Sequence, residues 1–347
     1  MKLLEQLTTT PSISGREHRV RDLIRKQIRG IFDDVSVDAL GSLICVKKPT
    51  KKTRGKPLRV MLAAHMDQIG FMVKHIDDNG FLRVNPVGGF DTRNLFARLV
   101  TVCTDARSAK GDLLGVMNPT VKPAHLSTPE DRNKTPDIGE FVVDLGLTGK
   151  QVKSKVKIGD MVVLKAPAQK VGNMFVSQCM DNRVSCWIAI RALQKLKVHA
   201  CEIHCVFTVQ EEVGLRGAGT SAFAIEPDVG IALDTTLCVD TPGSSGDQQV
   251  TKQAQGAAIT VMDSAFISDL DLYEEFERIA KAKKIKHQRS ILPRGGTDAG
   301  TLQRAGSGTR VLTLSCPTRY IHTVTESVHL VDLHACRDLL TAYLAQA

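Results

Sequence analysis

The stretch Leu58-Arg59-Val60-Met61-Leu62-Ala63-Ala64-His65-Met66-Asp67 decides the fold. A nearly unbroken apolar run of this length suits a strand buried on both faces, and such strands belong to parallel sheets covered by helices. Polar side chains enter only where the run ends, at His65 and Asp67. In an open α/β sheet, sites gather outside the carboxyl ends of the strands. Outward from this stretch the same texture recurs. The segment 203–210 is apolar until Glu211-Glu212, and 229–233 is apolar until Asp234. Further strands are expected at 257–262 and 310–314. Helical periods separate them at about 183–196, 215–224 and 270–284, and a last helix covers 331–344. Upstream, Ser14 is placed to cap a helix over 16–29, followed by strands at 35–37 and 42–46 around Gly41. The alternation predicts an α/β fold with a mostly parallel mixed sheet sandwiched by helices.

From about residue 69 to 167 the pattern changes. Short alternating runs at 81–84, 99–103, 113–117, 141–145 and 161–164, broken by Gly, Pro and Asp, read as a small β-rich domain. The stretch 125–136, rich in Thr, Pro, Asp and Lys, reads as an exposed loop. The expected organisation is a catalytic α/β domain in two parts, 1–69 and 167–347, interrupted by a β-rich insert at 70–166.

Composition removes several function classes. The 347 residues allow about two domains. With 42% hydrophobic and 24% charged residues the chain is not a disordered one. Lys and Arg number 46 against 37 acids, a net +9, but the excess is scattered. Its densest stretch, 47–56, reads as a solvated loop, and no motif accompanies it, so no nucleic acid is expected as a partner. No apolar run of about 18 residues is present to cross a membrane, and the opening residues lack a signal peptide's apolar core. Nine cysteines without a C-x-x-C pair read as free thiols in a reducing cytoplasm, with Cys201 and Cys205 buried in a strand.

Acids and histidines stand at one strand end after another: His65 and Asp67, Glu211 and Glu212, and Asp234. Asp181 and His322 lie in loops. Singly, each has a plain explanation: Asp181 as a helix cap, Asp234 as a strand terminator, His65 as a core histidine, the two glutamates as an exposed terminus. Together they would crowd negative charge at one sheet edge, where like charges repel. A divalent metal relieves that repulsion, and two metals sharing a carboxylate relieve it better; imidazole with carboxylate suits zinc, cobalt or manganese. His65 and Asp67, two apart, point to one face of a strand, so Asp67 can hydrogen-bond the imidazole's second nitrogen and orient it. If the chain turns after 210, Glu211 and Glu212 can face one cleft, one holding metal while the other activates a water.

The motif Ala64-His65-Met66-Asp67-Gln68-Ile69-Gly70 resembles the opening motif of the tetrahedral, glutamyl-aminopeptidase-type family of dinuclear metallo-aminopeptidases. Met180-Asp181-Asn182-Arg183, Val209-Gln210-Glu211-Glu212-Val213-Gly214, Gly295-Gly296-Thr297-Asp298-Ala299-Gly300 and Thr318-Arg319-Tyr320-Ile321-His322-Thr323 match further motifs of that family in order, from about residue 8 to 343. The resemblance implies two divalent ions per subunit, zinc first and cobalt or manganese next. It implies His65, Asp181 and Asp234 around one, and Asp181, Glu212 and His322 around the other, with Asp181 bridging. Glu211 is implied as general acid/base, Asp67 as the partner of His65, and the Asp181–Asn182 peptide as cis. Short peptides are the implied substrates, and a homo-oligomer, a dodecamer built from dimers through the β-rich insert, the implied assembly. Gln68 stands where Glu is usual, Cys179-Met180 replaces a small-plus-Trp pair, and Thr323-Val324-Thr325 departs from a His-containing context. For recognition of the peptide, Arg319 could receive a substrate carboxylate or sit in a structural salt bridge. His125 and Arg132 of the insert loop could reach a neighbouring pocket or be solvated.

Competing readings keep the metals but change the chemistry, or drop the chemistry. A dinuclear deacylase or carboxypeptidase would select an acyl or carboxylate group instead of a free amine. A scaffold that merely kept the fold would be expected to have lost part of the set. A polysaccharide hydrolase would want stacking aromatics, and aromatics are 4% of this chain.

Overall fold

A computed structural model describes residues 1–52 and 55–347; Thr53 and Arg54 of the basic stretch, and the side chain of Arg132, lie outside the described residues. The strand Arg59–His65 is buried along nearly its whole length. Its side chains alternate between two layers. Val60, Leu62 and Ala64 pack in a core with the helices Met180–Lys195, Leu330–Leu344, Lys2–Thr9, His18–Gln27 and Leu270–Ala282. Met61 and Ala63 pack in a second core with Arg216–Ile225 and Ala299–Gln303. Both faces are covered, which is why the sequence there carries no polar alternation.

The sheet has eleven strands. Its centre is parallel: Glu202–Thr208, Arg59–His65, Val229–Leu237 and Arg310–Arg319 lie side by side in that order. Antiparallel strands flank it. Leu43–Lys47 and Asp34–Val37 extend one edge; Glu326–His329, Met174–Ser177 and Gln169–Val171 extend the other. Ala257–Met262 pairs antiparallel with Arg310–Arg319 and carries His287–Ile291. The parallel order of the centre aligns four carboxyl ends, and the flanking strands make the sheet mixed.

A closed six-stranded antiparallel barrel occupies the middle of the chain: Gly70–Ile76, Leu82–Val87, Phe141–Asp144, Leu113–Pro119, Arg98–Cys103 and Met161–Leu164. Closure removes the free edges that short strands would otherwise expose. Phe71, Leu82, Val100, Val102 and Phe141 fill it, and each is fully buried. The next residue along often faces out, as with Leu99 and Leu114. The described residues of segment 125–135 are mostly exposed, as expected, while Pro136 is buried; the segment is also partly helical, with turns at Ala124–Leu126 and Pro129–Asn133.

Three local expectations need correction. The helix starts at His18, capped by the backbone at Glu17, while the Ser14 hydroxyl donates to Asp67 instead (2.6 Å). Asp234 does not end its strand, which runs on to Leu237. Asp67 lies two residues beyond the strand end at His65, outside the regular strand, and its place beside the imidazole is fixed by its bonds to Ser14, Glu211 and Glu212.

Candidate metal site

Each site residue is set by a specific piece of backbone. His65 is the last residue of its strand, opposite Thr208 of the neighbouring parallel strand. Asp234 lies on the next strand over. After Thr208 the chain leaves the sheet; Gln210 takes a left-handed conformation (φ 56°), and Glu211 and Glu212 follow in a turn. Asp67 fixes that turn: its Oδ1 and Oδ2 accept the N–H groups of Glu211 (3.1 Å) and Glu212 (3.2 Å), while Oδ1 lies 3.4 Å from His65 Nδ1. One carboxylate thus ties the imidazole, the double-glutamate turn and, through Ser14, the first part of the chain. Gly217 permits the close return of the chain after this turn, since a Cβ there would stand 2.6 Å from the Val209 carbonyl oxygen.

Asp181 sits at an irregular start of the helix Met180–Lys195, with a cis peptide bond to Asn182. Asn182 Nδ2 donates to the Leu233 carbonyl (2.8 Å), which ties this segment to the strand carrying Asp234. His322 follows the strand Arg310–Arg319 with φ 63°. A residue that the sequence reading did not single out holds both: Glu326 accepts the Asp181 N–H (3.0 Å) on one oxygen and the His322 N–H (2.7 Å) on the other.

The side chains converge. His65 Nε2 is 3.2 Å from Asp181 Oδ1, 3.7 Å from Glu211 Oε2 and 3.9 Å from Asp234 Oδ1. His322 Nε2 is 3.5 Å from both Asp181 Oδ2 and Glu212 Oε2. Two groups therefore could each hold a cation, His65–Asp181–Glu212 and His65–Glu211–Asp234. Asp181 Oδ1 and Glu212 Oε1 are buried without a hydrogen-bond partner. Ligands about 2.0–2.2 Å from a tetrahedral zinc stand roughly 3.3–3.6 Å from one another, so these separations and these orphaned oxygens fit divalent cations.

Electrostatics agree. Burial drives Glu211 well above the usual carboxylate range; Asp234 and Glu212 add to this, against the opposing pull of His65. Asp234 is raised for the same first reason. Asp181, although burial opposes it, is held well below its ordinary value by His322 and His65. Burial disfavours the charged form of His322 too, yet its contacts with Asp181 and Glu212 lift it to about 11. Glu326 is pushed up to about 8 by burial and by the Asp181 charge. Although burial opposes it, the neighbouring carboxylates favour the charged form of both imidazoles, so the arrangement calls for positive charge of the kind a cation would supply.

Other residues frame this centre. Glu17 accepts the N–H groups of Gly15 and Gln210 (2.7 and 3.2 Å) and is raised to about 7 by burial and Asp67. Asp298 accepts from Thr208 (2.6 Å) and is raised, chiefly by burial, to about 6. Beneath the site, the fully buried guanidinium of Arg183 donates to the carbonyls of Leu7, Thr10 and Ser12 and to Gln68 Oε1 (2.7–3.2 Å). Gln68, where a carboxylate was the expected type, therefore serves Arg183 and the Ser12 N–H. Cys179 and Met180 are buried, and Val324 packs into the barrel core.

Of the two tentative recognition residues, Arg319 is held bidentately by Asp240 (2.6 and 2.8 Å) and does not line the cleft. His125 is exposed and also does not line it. The cleft itself measures about 570 Å³ and opens over His65, Asp181, Glu211, Glu212, Asp234 and His322.

Residues 41–339 match the model of the M42 glutamyl aminopeptidase family, and the chain belongs to that family. It is 33% identical to the lysyl aminopeptidase of Pyrococcus furiosus, over 99% of this chain and 96% of that one. An aminopeptidase from the archaeon Desulfurococcus kamchatkensis superposes with a TM-score of 0.93 at 34% identity, covering 100% of this chain and 94% of the other. The TET1 peptidase of Pyrococcus horikoshii, which can assemble into a tetrahedron or a large octahedral shell, superposes with a TM-score of 0.86 at 31% identity, covering 99% and 98%.

Proposed function

We propose that the protein removes the N-terminal residue of short peptides, using two divalent cations held by His65, Asp181, Glu212, Asp234 and His322, with Glu211 as general base. The observation that carries this reading is the position of Asp181, whose two oxygens face the two imidazoles separately, Oδ1 at 3.2 Å from His65 and Oδ2 at 3.5 Å from His322. Zinc, or else cobalt or manganese, when bound supplies a Lewis acid for the scissile carbonyl and lowers the pKa of a nearby water. Glu211 takes the proton of the attacking water and passes it to the leaving amine nitrogen. Its upward-shifted carboxyl suits a group that must hold and release a proton. Asp67 keeps the His65 ring and the Glu211–Glu212 turn in register. The excess of carboxylates favours a protonated α-amine at the end of the cleft, which makes the enzyme an exopeptidase.

The barrel supports a role in assembly. Leu99, Leu114 and Val116 are exposed on it, and a relative of the same fold builds closed shells. We therefore assign 1–69 and 167–347 to catalysis and 70–166 to the assembly of a homo-oligomer, a dodecamer built from dimers. All nine cysteines are free and buried, which supports a cytoplasmic setting. No described helix is long and apolar enough to cross a membrane.

The test is metal analysis with chelation by EDTA and add-back of zinc, cobalt or manganese, on paired peptides with free and N-acetylated ends. Activity should vanish on chelation, return with metal and be confined to the free amine. Cleavage of the acetylated peptide would favour a deacylase, and activity without metal would overturn the mechanism.

A further inference from the structure

Apart from its two histidines, the cleft is lined by a single basic side chain among the described residues, Arg294. Of the two roles the sequence left open for Arg319, a contact to a substrate carboxylate or a structural salt bridge, the structure has the second, since Asp240 occupies that guanidinium on two nitrogens. Arg294 is exposed, and among the described residues no hydrogen bond or ion pair engages its side chain. The backbone on either side of it is firmly placed. Leu292 N–H donates to the Met262 carbonyl (3.0 Å), and the Gly295 carbonyl accepts from Ser264 N–H (3.0 Å) and its hydroxyl (2.5 Å). Thr297 donates to Asp263 (2.9 Å), and Gly296 presses on Ala265, where a Cβ would stand 2.9 Å from its methyl. The loop is thus a fixed wall that presents one unpaired cation to a cleft whose other end is crowded with carboxylates. Such a cleft is polarised along its length: the acid end takes a cationic amine, and the guanidinium calls for an anion of planar, two-oxygen geometry.

We propose that Arg294 is the residue that selects substrates by a carboxylate, either the side chain of an acidic first residue or the free C-terminus of a dipeptide. The proposal rests on the aminopeptidase reading above and goes further, since it assigns the substrate class.

The experiment uses the metal-loaded protein and compares Arg294→Ala and Arg294→Lys with the parent on glutamyl and leucyl anilides, and on leucyl-glycine against its C-terminal amide. Removal of a charge-assisted contact should lower kcat/KM for one carboxylate-bearing member about 10- to 100-fold more than for its neutral counterpart. Arg294→Lys should recover part of that difference. A selective loss on the glutamyl anilide identifies the acidic first residue; a selective loss on leucyl-glycine identifies the C-terminus. Calorimetric titration with L-glutamate and L-leucine, and with leucyl-glycine and its amide on a Glu211→Gln background that keeps these peptides uncleaved, supplies a readout that does not depend on turnover. Unchanged ratios in both kinetics and binding overturn the proposal while leaving the aminopeptidase reading intact. If no free-amine substrate is cleaved by the metal-loaded parent, that reading fails instead, and the binding ratios still decide the role of Arg294.

Discussion

The barrel and the carboxyl edge of the main sheet bury their side chains equally deeply and for opposite ends. Inside the barrel, Phe71, Val100 and Phe141 are fully buried among apolar neighbours. At the sheet edge, His65, Asp67 and Asp234 are at most 5% exposed, and they are charged or chargeable. Apolar burial stabilises at roughly 25 cal/mol per Å² and needs no further partner. Burying a carboxylate costs several kcal/mol unless a counter-charge of good geometry offsets it. The edge has more carboxylates than imidazoles, so it calls for counter-charge that the apolar interior of the barrel does not need. The difference separates two kinds of residue: those that make the fold, and those that the fold holds against their own electrostatics.

That contrast can be broken at either pole. The largest effect is expected at the edge. Glu211→Gln should lower kcat by about 100- to 10,000-fold, the usual share of a general base, while the protein keeps its metal and its melting temperature. Metal content by atomic absorption, with turnover on a leucyl anilide, checks this; near-normal turnover would remove Glu211 from the chemistry. In the barrel the signs reverse. Phe141→Ala should cost about 3–5 kcal/mol of stability in denaturant unfolding and leave turnover per folded molecule close to the parent's. A barrel variant that lost turnover but not stability would mean that the barrel takes part in catalysis.

The smallest effect sharpens the electrostatic half of the comparison. Glu326 is raised to about 8, so above the unfolded value of about 4.3 the folded state keeps a proton that the unfolded chain has released. Its contribution therefore falls as pH rises toward and through 8. His322, raised to about 11, works in the same direction: its full stabilisation is present below about 6.5 and is lost as pH climbs through 11. Its ring is 35% exposed, so solvent screening reduces its share. Metal-free protein should lose about 1 kcal/mol per pH unit between pH 7 and 9, seen as a falling melting temperature. The slope should flatten in Glu326→Gln and on adding metal. A melting temperature that rises over this range would contradict the burden of charge assigned to the edge.

The parts of the molecule that could be read from the sequence are those with local signals. The run 58–64 announces a doubly covered strand because each neighbour in sequence enters a different core, and the polar residue that ends it marks the carboxyl edge. Short alternation announces the barrel strands for the matching reason. The strand His287–Ile291 escaped, since it is polar and largely uncovered and so looks like a loop. Among the residues proposed to hold cations, His65, Asp181, Glu212 and His322 lay in motifs, while Asp234 was marked by the end of a short apolar run. Glu326 and Ser14 had neither mark, because what matters about each is a partner far along the chain: 145 residues separate Glu326 from Asp181, and 53 separate Ser14 from Asp67. Ser14 also carried a misleading local signal, a residue type that caps helices placed just ahead of one. Arg319 and Arg294 look alike in sequence; the structure distinguishes them, since Asp240 engages Arg319 and only Arg294 of the two lines the cleft.

The buried guanidinium of Arg183 gives the first dozen residues an importance their distance from the catalytic motifs conceals. Three of its four bonding partners are main-chain oxygens between Leu7 and Ser12, so the end of the opening helix and the residues just after it act as a solvating lid for a cation that water cannot reach. Proteolytic trimming of that segment, or a fusion that pulls it away, would strip the cation of its shell directly under Asp67 and Asp181, and harm would reach the reaction centre without any of its own side chains having been touched.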